Sequence, residues 1–78
     1  MNKYEITFTM YVLGYEKTYT IPVLASNEIE AQLKVLEGEC HNASYKDIHL
    51  QANNPKLFEV DDMDFFYKIN YVEQIELK

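Results

Sequence analysis

The sequence predicts an α+β fold, a single curved antiparallel β-sheet of order β-β-α-β-β-β with one helix packed on one face. Three observations predict it. Apolar and polar residues alternate through residues 4–25, a helical period of 3.6 follows Asn27, and alternation returns from residue 45 onwards. Seventy-eight residues make a single domain, 1–78, and the one apolar stripe of one helix can cover only one face of the sheet.

Residues 4–25 are predicted to form one β-hairpin about the two-residue loop Gly14-Tyr15. Gly14 suits the first loop position of a type II′ turn, which requires a positive φ there. In this register Met10 faces Tyr19, Phe8 faces Ile21, Ile6 faces Val23 and Tyr4 faces Ala25. Thr7 and Pro22 then form a hydrogen-bonded pair that proline cannot complete, so we expect the hairpin to loosen or bulge towards Ala25. If Pro22 lies on an edge, the first strand is an inner strand with another strand on its far side.

Asn27 and Glu30 predict the start of the helix. The Asn27 side chain can cap the first turn, and Glu30 three residues later completes a capping box. Glu30 and Lys34 stand at the favourable i,i+4 spacing. The apolar stripe is predicted to comprise Ile29, Leu33, Leu36 and Cys40. Gly38 weakens the last turn, so the helix is expected to end between Gly38 and Asn42.

The second half of the chain predicts further strands. Residues 45–52 alternate, and a second hairpin is predicted from residues 57–60 and 65–71 around the loop 61–64. In that register Val60 faces Phe65 and Phe58 faces Tyr67. The apolar row that continues to Ile75 and Leu77 is interrupted by Glu73, so a bend or bulge is expected near Val72-Glu73. The face towards the helix is predicted to collect Ile6, Phe8, Met10, Tyr19, Ile21, Val23, Ile48, Leu50, Phe58, Val60, Tyr67 and Ile69.

Charge is the most informative bulk property. Thirteen acidic residues face seven basic ones, all lysine, which gives a net charge of −6. This charge opposes approach to a nucleic-acid backbone, and the chain lacks the arginine that usually reads phosphate and guanine. The sequence therefore predicts no direct nucleic-acid binding and favours a protein partner with a basic surface.

The sequence also predicts a cytoplasmic protein without membrane contact. It contains a single cysteine, no apolar stretch long enough to span a bilayer and no signal-peptide core.

The densest charge cluster comprises Glu59, Asp61, Asp62 and Asp64. A calcium loop of the EF-hand type needs a glycine at its sixth position and a carboxylate at its twelfth. Counted from Asp61 these positions hold Phe66 and Val72, so the template fails. A solvated turn and a recognition patch for lysine or arginine both remain open.

No set of residues matches a catalytic or metal-binding template. Cys40 and His41 point about 100° apart on a helix, and no second cysteine joins them and His49 in a zinc site. No serine stands in a nucleophile motif, and two glycines cannot build a phosphate-binding loop. The sequence therefore predicts no metal, no cofactor and no enzymatic activity.

The sheet face away from the helix is predicted to be polar, with tyrosines among acidic residues. It comprises Glu5, Thr7, Thr9, Tyr11, Thr18, Thr20, Asp47, His49, Gln51, Glu59, Phe66, Lys68 and Asn70. Tyr15 at the turn and Tyr45 at a strand start add exposed aromatic groups. This composition suits protein recognition, and a plain solvated face is the alternative.

The first half of the chain resembles small proteins of phages and mobile elements. The resemblance rests on the stretch VLASNEIEA at residues 23–31 after YEITF at residues 4–8. The DpnD/PcfM-like family has a similar strand-strand-helix order with an acid-rich cap and a Glu-Ala pair, although Asn27 stands where serine is usual. Some small anti-CRISPR proteins are similar in size, acidity and element order. The resemblance implies a phage-borne inhibitor in the cytoplasm of a bacterial host, and it assigns no functional residue.

The sequence thus predicts a non-catalytic protein-binding module. The resemblance implies a phage- or mobile-element-encoded inhibitor of a host defence complex, of anti-CRISPR or anti-restriction type. Such an inhibitor is expected to occupy a basic, nucleic-acid-facing surface of its partner. The predicted partner-binding residues are Glu59, Asp61, Asp62, Asp64, Tyr11 and Tyr15. Binding should weaken when Asp61, Asp62 and Asp64 are neutralised together. The alternative is a self-assembling structural or accessory phage protein that forms a homodimer through its sheet edge or open face.

Overall fold

The computed structural model describes residues 1–39, 47–61 and 65–75. These residues form the elements β1 (Asn2–Val12), β2 (Tyr15–Ala25), α1 (Glu28–Glu39), β3 (Ile48–Leu50), β4 (Phe58–Asp61) and β5 (Phe65–Ile75). The strands make one sheet in the order β2-β1-β5-β4-β3, and all neighbouring strands are antiparallel. The predicted α+β fold, with a helix against a single antiparallel sheet, is confirmed.

The β1–β2 hairpin turns at Leu13-Gly14, not at Gly14-Tyr15 as predicted. Both turn residues have positive φ, 48° and 81°, which is the signature of a type I′ turn. The register is therefore displaced by two residues, so that Phe8 faces Tyr19, Ile6 faces Ile21 and Tyr4 faces Val23. A two-residue displacement keeps every side chain on its predicted face. The observed register also joins two threonine pairs by hydroxyl hydrogen bonds of 2.9 Å, Thr7 with Thr20 and Thr9 with Thr18.

The predicted loosening at the base of the hairpin is wrong. Pro22 lies opposite Glu5 and not opposite Thr7, and the pairing runs without a break to Asn2 and Ala25. Counted from the pair that flanks the turn, Pro22 falls at a non-hydrogen-bonded position, so its missing N–H faces the outer edge. β2 is that edge strand. β1 is an inner strand with β5 on its far side, as predicted.

A β-bulge lies at Asn70 in β5, not near Val72-Glu73. Phe8 faces Ile69 and Thr7 faces Tyr71, so Asn70 is the extra residue between them. The extra residue reverses the alternation of β5 beyond this point. Tyr71 is consequently 55% exposed, and Val72 packs against the core instead.

The register of the β4–β5 pair also differs by two residues from the predicted one. Val60 faces Tyr67 and Asp61 faces Phe66, so the predicted pairs of Val60 with Phe65 and Phe58 with Tyr67 are displaced by two residues. The parity is again correct. Residues 45 and 46 of the predicted strand 45–52, together with residues 62–64 of the predicted loop, lie outside the described residues.

The Asn27 cap of α1 forms as predicted, but the Glu30 carboxylate accepts from the Ser26 amide and not from the Asn27 amide that a capping box uses. The Glu30 amide donates to Asn27 Oδ1 at 2.9 Å, and the Ser26 amide donates to Glu30 Oε1 at 3.3 Å. Lys34 Nζ lies 3.3 Å from the same carboxylate, as expected for the i,i+4 spacing. α1 extends to Glu39, which agrees with an end between Gly38 and Asn42.

The buried face of α1 is rotated relative to the predicted stripe. The buried residues are Ala31, Gln32, Val35 and Leu36. Ile29 is 57% exposed, Leu33 is half-buried, and Cys40 lies outside the described residues. Gln32 explains the rotation, because its side chain accepts from the Phe58 amide at 2.9 Å and donates to the Lys56 carbonyl at 3.1 Å. A helical residue that makes two such bonds must face the sheet.

The core lies between α1 and the sheet. Its buried members are Tyr4, Ile6, Phe8, Ala25, Ala31, Val35, Leu36, Val60, Tyr67 and Ile69. Most predicted core residues are in this cluster or pack against it, but Leu50 is 47% exposed. Gln51, predicted to be on the polar face, is buried because its amide donates to the carbonyls of Phe58 and Ile69 at 3.1 and 2.6 Å. Thr7 and Thr9 are also buried, although they lie on the face away from the helix.

Candidate functional site

The sheet face away from α1, called the open face below, carries a row of four cross-strand neighbours near the β1–β2 turn. Asp61 of β4 faces Phe66 of β5, Phe66 faces Tyr11 of β1, and Tyr11 faces Glu16 of β2. We call this set the acidic-aromatic row. It places a carboxylate at each end of an aromatic pair, because facing residues of neighbouring strands project from the same side of a sheet.

The aromatic pair at the centre of the row is packed ring against ring. The ring centroids of Tyr11 and Phe66 are 5.6 Å apart, and the ring planes are inclined by 49°. Tyr11 remains 37% exposed in this position. A rigid, half-exposed tyrosine with an acidic neighbour can contact both the apolar stem and the charged end of a lysine or arginine side chain.

A second row crosses the middle of the open face. Its members are His49, Glu59, Lys68, Thr9 and Thr18. His49 Nε2 lies 3.4 Å from Glu59 Oε1, and the Asn70 amide donates to the Thr9 hydroxyl at 2.8 Å. The Thr9 hydroxyl is also bonded to Thr18. In the middle of the open face, the side chains of Thr9, Thr18 and Asn70 are therefore hydrogen-bonded to one another, and His49 lies beside Glu59.

An open cleft of about 240 Å³ lies between the two rows. It is lined by Tyr11, Gln51, Ala52, Asn53, Glu59, Phe66 and Lys68. Its volume is enough for one side chain of a partner, and its walls combine aromatic, carboxylate and amide groups.

A second concentration of negative charge lies at the other end of the open face. Glu5 of β1 and Glu73 of β5 face each other directly. Like charges in facing positions of a sheet repel and destabilise it by a fraction of a kcal/mol. At about 3.4 Å per residue, this pair lies about 20 Å along β1 from the acidic-aromatic row. The open face thus presents carboxylates at both ends.

The predicted partner-binding residues divide into three groups in the structure. Tyr11, Glu59 and Asp61 share the open face. Of these three side chains, Glu59 is the most buried. Tyr15 faces Val12 and therefore projects from the helix side, where it is 58% exposed. Asp62 and Asp64 lie outside the described residues. The structure therefore brings together Tyr11, Glu59 and Asp61 and separates Tyr15 from them.

The sequence places Phe66 on the open face, as the structure does, but it does not mark Glu16 or Glu73 as members of this surface. Neither Glu16 nor Glu73 has an acidic neighbour in sequence, so no local acidic cluster marks them. Only the registers of the β1–β2 and β1–β5 pairs bring them beside Tyr11 and Glu5. Placing the hairpin turn at Leu13-Gly14 would have identified Glu16 as the neighbour of Tyr11.

The electrostatics at the helix start are distinct from this surface. The hydrogen bond from the Ser26 amide, assisted by Lys34, holds the pKa of Glu30 below its usual value.

Within residues 1–39, 47–61 and 65–75, no three His, Cys, Asp or Glu side chains come together as ligands for a metal ion. In the same residues, no helix has the length and apolar character needed to cross a membrane.

Comparisons with known proteins identify no relative. No protein-family model matches the chain. Searches of curated proteins and of solved structures find no match either. The similarity of residues 4–31 to small phage proteins stays a prediction, and the geometry of the open face is the basis for a functional proposal.

Proposed function

We propose that this chain is a non-catalytic protein-binding module that docks its open face on a basic surface of another protein. The observation that carries the proposal is the acidic-aromatic row, in which Asp61 and Glu16 flank the packed rings of Tyr11 and Phe66. Tyrosine is enriched at protein interfaces because its ring buries apolar area while its hydroxyl still forms hydrogen bonds.

The charge of the open face favours a basic partner. Its strand residues include the carboxylates Glu5, Glu16, Glu59, Asp61 and Glu73, against the ammonium groups of Lys3 and Lys68. Glu5 and Glu73 repel each other in the isolated chain, so a cation placed between them gains more energy than one beside a single carboxylate. Complementary potentials of this kind steer association and select the partner.

Many basic protein surfaces bind nucleic acid, and an acidic module that covers such a surface acts as an inhibitor by competition. The resemblance to small phage proteins points to a host defence complex, of anti-CRISPR or anti-restriction type, as the class of partner. In this role the chain contacts no nucleic acid itself, which agrees with its net charge of −6.

The experiment captures a partner from a bacterial lysate on the immobilised chain and then measures its affinity for defined variants. Asp61→Asn with Glu73→Gln removes one carboxylate from each end of the open face. Glu28→Gln with Glu37→Gln removes the same charge from exposed positions of α1 and is the matched control. We expect the open-face variant to weaken binding by about tenfold or more and the control to bind normally.

Two further measurements test the competitive mechanism. The affinity for the identified partner should fall as the salt concentration rises, because exposed charges are screened. A nucleic acid ligand of the partner should displace the chain. Equal affinity of both double variants, or simultaneous binding of chain and nucleic acid, would contradict the proposal.

A further inference from the structure

Among the residues that the structure describes, the outer edge of β2 is the longest strand edge without a partner strand. β2 contains eleven residues, whereas β3 at the opposite edge contains three. Counted from the hydrogen-bonded pair Val12–Tyr15, the even-numbered residues of β2 direct their N–H and C=O groups away from β1. An exposed row of such groups is a template for pairing with another strand.

The half of this edge near α1 is blocked. Pro22 has no N–H to donate. The Leu24 carbonyl, which also points outwards, accepts a hydrogen bond of 2.8 Å from Lys34 Nζ. Proline and lysine on an edge are the devices by which natural sheets prevent further pairing.

The half of the edge near the turn contains no proline, and its one lysine, Lys17, places Nζ 5.1 Å from the centroid of the Tyr19 ring on the helix side of the sheet. The outward backbone groups of this half belong to Glu16, Thr18 and Thr20, all of which are exposed. Two large apolar side chains lie beside it, Leu13 at 92% exposure and Tyr15 at 58%. Leu13 also adopts a φ of 48°, a conformation that is unfavourable for leucine and more favourable for asparagine. A leucine that is both exposed and conformationally disfavoured indicates a role outside the monomer fold.

We infer that a second copy of this chain pairs with this half of β2 in antiparallel orientation, with the two-fold axis at Thr18. Thr18 then faces Thr18 of the second copy, and Glu16 faces Thr20 at both ends. Because each of these three pairs is at a hydrogen-bonded position, the interface gains six backbone hydrogen bonds. Every donor and acceptor in this segment is used, and Pro22 is left outside it.

The neighbouring registers are worse. An axis at Lys17 places two ammonium groups directly opposite each other. An axis at Tyr19 places Pro22 opposite Glu16, and an axis at Thr20 places it opposite Thr18, so each loses two hydrogen bonds. With the axis at Thr18, no like charges face each other.

The side chains agree with the same register. On the helix side, Tyr15 faces the half-buried Ile21 of the second copy, and Lys17 faces Tyr19 of the second copy. Within one chain, Lys17 Nζ lies 5.1 Å from the centroid of the Tyr19 ring, so in the dimer each lysine lies near two tyrosine rings. Leu13 comes next to Val23 of the second copy, so its exposed surface is covered.

Light scattering or sedimentation over about a hundredfold range of concentration tests the association. We expect the mass to rise from monomer to dimer. Leu13→Asn should raise the dissociation constant by about tenfold or more through lost apolar contact. The same variant should unfold at a higher denaturant concentration when monomeric, because Asn-Gly favours a type I′ turn.

Leu24→Asn is the matched control, since Leu24 is 51% exposed on the blocked half of the edge. It should dimerise like the natural chain. A monomer at every concentration, or equal loss of dimer in both variants, overturns the inference.

Cross-linking tests the register in the full chain with Cys40→Ser as background. Thr18→Cys, Glu16→Cys and Thr20→Cys each place one thiol on the exposed edge and are treated with a short bifunctional thiol reagent. Only Thr18→Cys should form covalent dimers, because the other two thiols lie about 13 Å from their counterparts. Stronger cross-linking at 16 or 20, or none at 18, overturns the assignment. Neither the association test nor the cross-linking test involves the basic partner. A negative result in either would therefore not contradict the proposed function.

Discussion

Gln32 and Gln51 hold the segment between β3 and β4 against the sheet through hydrogen bonds made inside the protein. Gln32 is 1% exposed and bonds the Phe58 amide and the Lys56 carbonyl. Gln51 bonds the carbonyls of Phe58 and Ile69. β4 and its partner β3 are short, so these side chains replace the ladder bonds that longer strands would provide.

Gln32→Leu should destabilise the fold by about 2 kcal/mol, because it leaves the buried Phe58 amide and Lys56 carbonyl without their partner. Urea unfolding measures the loss, and hydrogen exchange at the Phe58 amide should accelerate. Gln74→Leu, at an exposed position, is the control and should change stability by less than about 0.5 kcal/mol. Equal stability of the two variants would mean that the Gln32 bonds contribute nothing.

Neither glutamine could be assigned to the interior from the sequence. The helical period records only apolar residues, so the predicted stripe ran through Ile29 and Leu33. The partners of Gln32 are backbone groups 24 and 26 residues away, which no local pattern contains. Buried polar residues are defined by such distant partners, and their prediction requires the tertiary fold.

The strands show how far alternation alone can determine a sheet. Alternation predicted the correct face for nearly all residues of β1, β2 and β4, and both hairpins were displaced by two residues. A period of two cannot distinguish registers that differ by two. In the first hairpin, the difference depends on whether leucine can occupy a positive φ at Leu13. The threonine pairs on the open face favour the observed register, since cross-strand threonines can bond each other.

The bulge in β5 gives a sharp test of the β1–β5 register. Deleting Asn70 should be tolerated at a cost of about 1 kcal/mol, since Ile69, Tyr71 and Val72 then alternate regularly against Phe8, Thr7 and Ile6. The cost comes from the lost hydrogen bond to Thr9. Thermal unfolding followed by circular dichroism measures the effect.

Deleting Lys68 is the matched control. It leaves Ile69 opposite Thr9 and Asn70 opposite Phe8, so the fully buried Ile69 is turned to the open face and Asn70 to the core. This variant should not fold cooperatively. Equal stability of the two deletion variants would show that the bulge is not located at Asn70.

The start of α1 should make a pH-dependent contribution to stability. The pKa of Glu30 is lowered in the folded chain by the Ser26 amide and Lys34. A carboxyl group with a lowered folded pKa stabilises the fold above its unfolded pKa, and this stabilisation is lost as the pH falls through the folded value. The helix should therefore weaken on acidification below the ordinary glutamate range.

Urea midpoints at neutral pH and near pH 3 measure this contribution in the natural chain and in Glu30→Gln. The difference between the two chains should be present at neutral pH and shrink in acid. Glu37→Gln changes a carboxyl group near the other end of α1 and should show a smaller change. An unchanged difference at both pH values would exclude ionisation of Glu30 as the cause.

At the scale of the whole molecule, the open face combines negative charge with internal repulsion. Glu73→Lys converts the pair with Glu5 from like to opposite charges and should stabilise the fold by about 0.5 kcal/mol at low salt. The gain should shrink at high salt through screening. The same substitution should weaken binding to a basic partner, which would link the repulsion in the free chain to recognition.

Chemical unfolding at low and high salt measures the stability of this variant. Glu16→Lys is the control, because its facing residue Tyr11 carries no charge. It should change stability less than Glu73→Lys at low salt. If both substitutions stabilise the fold equally, the gain comes from the general reduction of net charge and not from the facing pair of Glu5 and Glu73.

The central position of β1 also determines the order in which the sheet can be assembled. β1 and β2 are joined by a two-residue turn, but the other side of β1 pairs with β5, and the bond from Asn70 to Thr9 spans 61 residues. During synthesis the hairpin therefore emerges before β5, and Ile6 and Phe8 stay accessible to solvent until β5 pairs with β1. Pairing over such a separation carries a large loop-closure entropy, so this small chain should fold slowly for its length. A product that terminates before Phe65 would keep the hairpin and α1 but expose both edges of the pair, and it would be prone to aggregate.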